Sequence, residues 1–65
     1  MPVRAEVVVV GEIEHDDLWP YAVGSQRTGD LSVFALEVHD SQEFLGVLEM
    51  LTARGAEVTH AQLLA

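Results

Sequence analysis

Between Asp30 and Leu64 the sequence reads as strand, helix, strand, and no other stretch limits the fold as much. Leu31 to His39 (LSVFALEVH) alternates, which puts Phe34, Leu36 and Val38 on one face. Leu31, Val33, Ala35, Glu37 and His39 fall on the other. Asp40-Ser41-Gln42-Glu43 has the spacing of a capping box, in which the N-cap and N3 side chains satisfy each other's free backbone N–H groups. Phe44 to Arg54 then repeats apolar residues at helical spacing. Phe44, Leu45, Val47, Leu48 and Leu51 form the expected core stripe, with Met50 at its margin. Gly55 stops the helix and Ala56 to Leu64 extends again. A glycine inside a helix costs about 1 kcal/mol relative to alanine, so Gly46 predicts a close approach to a strand.

The first half supplies one more strand and a loop. Val3 to His15 predicts a strand with Val7, Val9 and Ile13 on one side and Arg4, Glu6, Val8, Val10, Glu12 and Glu14 on the other. The valine run is apolar on both faces, as expected of a strand covered on both sides or paired to a partner. Gly11 suggests a bulge or close packing. Asp16 to Gly29 reads as a loop broken by Pro20, Gly24, Ser25 and Gly29, with room for a short helical turn before Val23. The expected fold is α+β, one ββαβ domain over residues 1–65: strands 3–15, 30–39 and 56–64, helix 41–54 and loop 16–29. A right-handed crossover makes the two strands joined by the helix parallel, and the helix covers one face of the sheet.

A core of this size supplies only about 3–5 kcal/mol, and comparable chains lean on a disulfide, a metal or a partner. Cysteine is absent, which removes disulfides and thiolate zinc sites, yet 49% of the 65 residues are hydrophobic. The face opposite the helix carries Val8, Val10, Leu31, Val33 and Ala35, so self-association through these residues is expected. A net charge of −8, with Arg4, Arg27 and Arg54 as the only cations and no lysine, repels phosphate backbones and anionic membranes. The valine run is too short to span a bilayer and the start lacks the pattern of a signal peptide, so a cytoplasmic protein is expected.

Four short runs carry a resemblance: Gly11-Glu12-Ile13-Glu14, Gly29-Asp30-Leu31-Ser32-Val33, Leu48-Glu49-Met50-Leu51 and Gly55-Ala56-Glu57-Val58. Together, over roughly Val9 to Leu64, the chain resembles the back half of NIL domains. These are small ferredoxin-like modules appended to methionine-import ATPases, and they are related in shape to ACT domains. The resemblance implies a ferredoxin-like sheet and a regulatory role in binding an amino acid or similar small molecule, usually at a dimer interface. The family pattern is βαββαβ, against which this chain reads as truncated, without the first strand and helix. In the family that strand lies between the two strands joined by the second helix. Here the slot is expected to close by direct parallel pairing or to be filled from another chain, so that oligomerisation completes the fold. No family binding residue is carried over.

Each candidate site stands beside a plainer reading. Glu12, Glu14, His15, Asp16 and Asp17 offer a dense set of hard-cation ligands, but without EF-hand spacing they read as a solvated strand end. His15, His39 and His60 invite a metal triad, yet His15 and His39 should lie at opposite ends of the sheet, so no metal is assigned. Trp19-Pro20-Tyr21 is the aromatic cluster off the core. With Arg27 it makes Trp19, Tyr21 and Arg27 the candidate ligand-binding residues, against a lid over a sheet edge. Pro2 could serve as the N-terminal base of a small tautomerase, with Arg4 and Arg27 holding a carboxylate, but the long helix such enzymes need after the first strand is missing. Ser25, Ser32 and Ser41 lack a nucleophile motif, and no phosphate loop is present.

The expected function is therefore a non-catalytic ligand-binding or regulatory module without a cofactor, acting as a homo-oligomer with any ligand at the subunit interface beside loop 16–29. The alternatives are a structural assembly module whose acidic rim meets a basic partner and, more remotely, a Pro2 tautomerase.

Overall fold

The computed structural model describes residues 2–11 and 13–64. The chain runs β1 (Val3–Val10), a 3-10 turn (His15–Leu18), β2 (Ala22–Thr28), β3 (Leu31–Val38), α1 (Ser41–Ala53) and β4 (Glu57–Leu64). The four strands form one sheet in the order β2-β3-β1-β4, every neighbouring pair antiparallel. This is a small α+β fold with one helix on one face.

Several expectations change. The connection between Asp16 and Gly29 is not all loop, because Ala22–Thr28 pairs with β3 through a two-residue turn, Gly29-Asp30, making four strands rather than three. Gly29 has φ +61°, a conformation that costs other L-residues and suits the first central position of a tight hairpin. The strands on either side of α1 are parallel, but they do not pair directly and no second chain fills the gap. β1 lies between them, with Val7 opposite Phe34 on one side and Ala61 on the other. A strand that is apolar on both faces belongs at the centre of a sheet, and β1 takes that position. It ends at Val10, so Ile13 and His15 fall beyond it. Its irregularity lies not at Gly11 but in the pairing with β4, between Val8 and Val9. Arg4 faces Leu64, which brings the two ends of the described chain side by side.

The core forms between the sheet and α1. Ala5, Val7 and Val9 alternate inward from β1, and Phe34, Leu36 and Val38 from β3, all close to fully buried. α1 meets them with Phe44, Val47 and Leu51. Leu48 packs at the margin, whereas Leu45, expected in the stripe, is 57% exposed. A stripe held by i, i+3 and i+7 positions is narrower than the five-residue set read from the sequence. Gly46 also departs from expectation, since a Cβ there would meet nothing within 4 Å. Asp40 caps α1 by accepting from Glu43 N–H at 2.8 Å, and the returning Glu43 carboxylate accepts from His39 N–H at 2.9 Å rather than from Asp40. Gly55, at φ +84°, ends the helix and releases the chain into β4. Leu18, at the end of the 3-10 turn, is fully buried and fills the core beside β2. No helix among the described residues is long and apolar enough to cross a membrane.

Candidate functional site

α1 packs over β3 and β4, while on the β2 side the same face is covered only by the 3-10 turn. The uneven cover leaves a cleft of about 180 Å³ between the turn and the sheet. Register decides what lines it. Ser25 lies opposite Phe34 and Arg27 opposite Ser32, so all four share the face of α1. Ile13, Glu14 and His15 close the cleft from the chain leading into the turn.

Each side chain has a definite environment. His15 Nδ1 and Ser25 Oγ are 3.2 Å apart, which ties the turn to β2. Arg27 Nε donates to the Gly29 carbonyl at 3.4 Å, a contact that engages one of its nitrogens and leaves the two terminal ones available to a ligand. Ser32 is 4% exposed and is the one buried polar side chain among the described residues. It lines the cleft. Phe34 is 1% exposed and, with Ile13, supplies the apolar wall. Glu14 is exposed at the rim. The cleft therefore combines one guanidinium, two hydroxyls, an imidazole, the Gln26 amide, the Glu14 carboxylate at its rim and an apolar wall.

Of the three candidate ligand residues, only Arg27 lines this cleft. Trp19 stands 74% exposed beyond the turn. Tyr21 is half-buried against the core, and its carbonyl accepts from Glu37 N–H at 2.9 Å. His15, Ser25, Ser32 and Phe34 were not grouped from the sequence. The glycine-aspartate pair at 29–30 is the signal that would have found them, because a two-residue hairpin turn makes Ala22–Thr28 a strand and fixes its register.

The remaining candidates lie elsewhere. Val8, Val10, Leu31, Val33 and Ala35 share the sheet face opposite α1, with Val8 paired to Val33 and Val10 to Leu31. The three histidines have separate neighbours: Ser25 for His15, Glu43 for His39 at 3.0 Å, and Gln62 for His60 at 3.0 Å. In the acidic run Glu12 is outside the described residues, and Asp17 spends both oxygens on the Glu14 N–H and on Arg54. Among the described residues no three His, Asp or Glu side chains converge as a metal would require. Arg4 pairs with Glu37 on the open face and Arg27 with Ser32 on the helix face, so the two arginines do not converge on Pro2.

No family model matches the chain, and no curated protein or solved structure is significantly similar to it.

Proposed function

We propose that the chain is a small, non-catalytic regulatory or ligand-binding module of NIL/ACT-like form, a cytoplasmic homo-oligomer that takes an amino acid or similar metabolite. The ferredoxin-like part of this reading is supported by the strand order β4-β1-β3-β2, with β3 and β4 parallel on either side of β1. Against βαββαβ, each strand has a counterpart, and the first helix alone is reduced, to the 3-10 turn His15–Leu18.

Self-association rests on one observation: Val8 beside Val33 and Val10 beside Leu31 make an apolar quartet on the uncovered sheet face. Gln26 and Thr28 flank it from β2, and Glu57 and His60 from β4. An apolar centre with a polar rim is the anatomy of a protein interface. Four strands about 4.8 Å apart, each eight or so residues long at about 3.4 Å, present a face of about 500 Å². Two such faces bury about 1,000 Å², the lower bound for a specific pair, so a second copy is a sufficient occupant. A two-fold axis would set the quartet on itself.

Native mass spectrometry with size-exclusion chromatography tests this. The wild-type protein is expected at a multiple of the chain mass, and Val33→Glu, which buries an unpaired charge in the pair, at the single-chain mass or unfolded. A wild-type protein that runs as a folded single chain at micromolar concentration overturns self-association. A thermal-shift panel of amino acids tests the ligand half, since a ligand that binds only the native state raises Tm. A flat panel favours an assembly module without a ligand.

A further inference from the structure

We propose that each chain carries its own binding site for a short carboxylate with an apolar body, seated in the cleft between the 3-10 turn and the β2–β3 hairpin. This deepens the ligand-binding half of the function proposed above. It moves the ligand from between chains to within one, on the face opposite the apolar quartet, and does not rest on self-association.

Three observations carry it. First, the cleft exists because the 3-10 turn is too short to cover β2. At about 180 Å³ it is below the roughly 300 Å³ at which drug-sized pockets begin, so its ligand is small. Second, Ser32, a hydroxyl-bearing side chain only 4% exposed, lines the cleft on its sheet side. Third, the donors cluster on the sheet side. Arg27 and Ser25 alternate along β2 and Ser32 faces Arg27 across the ladder, so guanidinium and hydroxyls present N–H and O–H groups to the same space. His15, already bonded to Ser25, presents its ring beside them.

Phe34 and Ile13 give the complementary end. A ligand held by its carboxylate at Arg27 lays its apolar body against these two, which are 1% and 9% exposed. Glu14, exposed at the rim, opposes an anion, and solvent there screens the repulsion in part. Its position makes a sign prediction: removing its charge tightens binding of an anion and weakens binding of a cation.

The probe is sodium benzoate, titrated into the full chain and followed by amide chemical shifts. Benzamide, with the same body and no charge, and inorganic phosphate, with charge and no body, are the controls. Benzoate is expected to move the Ser25, Arg27 and Ser32 amides saturably. Benzamide is expected to bind at least tenfold more weakly and phosphate to leave these amides in place. Arg27→Gln is expected to raise the benzoate Kd at least tenfold. Ser32→Ala is expected to raise it severalfold, and Glu14→Gln to lower it about twofold. Each variant is first checked for dispersed amide signals and wild-type native mass, so a lost site is not confused with a lost fold or a lost assembly. Absence of saturable shifts at those amides, an unchanged Kd in folded Arg27→Gln, weaker binding in Glu14→Gln, or binding of phosphate in preference to benzoate each overturns the proposal. Saturable binding by a protein that is a single chain in native mass spectrometry supports it while removing self-association.

Discussion

Asp17 and Arg54, 37 positions apart, meet at 3.2 Å, and through that contact the 3-10 turn is fastened to the C-terminal cap of α1. Asp17 Oδ1 accepts from Arg54 Nη1, while Oδ2 accepts from the Glu14 N–H at 2.9 Å. One carboxylate thus closes the start of the turn on itself and ties it to the helix that covers the rest of the sheet.

The two partners are expected to differ in urea denaturation. Arg54→Ala removes half of a partly exposed ion pair and costs at most about 1 kcal/mol. Asp17→Ala also strands the Glu14 N–H at the start of the turn and costs about 1–2 kcal/mol. Equal losses would mean that the backbone contact contributes nothing.

Along α1, burial separates two leucines six residues apart in the sequence. Leu51 is fully buried, so Leu51→Ala costs about 2–5 kcal/mol, comparable with all the stability a chain this small holds. Leu45 is 57% exposed, and Leu45→Gln stays within about 0.5 kcal/mol of wild type. Circular dichroism melts of the two variants check the orientation of the helix, and a collapse in Leu45→Gln would reverse it.

The two glycines of this segment are expected to respond with opposite signs. Gly46→Ala meets open space in a helix interior and raises stability by about 0.5–1 kcal/mol. Gly55→Ala puts a side chain at φ +84° and lowers stability by about 1–2 kcal/mol. A pair of thermal melts decides both.

Each copy carries a net charge of −8, so in the proposed pair charge repulsion opposes the apolar contact. Raising sodium chloride from about 0.1 M to about 1 M shortens the screening length from about 10 Å to about 3 Å and is expected to tighten the pair. Sedimentation at the two salt concentrations reads it directly. Weaker association in salt would point to an interface held by ion pairs in place of the apolar quartet.

The second half of the chain was legible because its signals are local. Asp40 and Glu43 mark where α1 begins, Gly55 marks where it ends, and alternation in Leu31–Val38 assigns both faces of β3 correctly. β2 was missed because it is an edge strand: of Ala22–Thr28 only Ala22 is buried, so no hydrophobic alternation betrays it. β1 was read too long because Glu12-Ile13-Glu14 keeps the period of two after the strand has ended at Val10. The place of β1 between β3 and β4 depends on pairings that join residues as far apart as Val10 and Leu31 or Arg4 and Leu64, which periodicity does not encode. The cleft follows from β2. Without that strand Ser25 and Arg27 have no face, and His15 has no neighbour.

Because Arg4 and Leu64 are ladder partners, chain entering β1 and chain leaving β4 pass through the same edge of the molecule. A unit of this kind can be spliced into a surface loop of a host protein, or strung in tandem on short linkers, without stretching either neighbour. The Gly29-Asp30 turn, at the other end of β3, offers the matching place to open a circularly permuted chain.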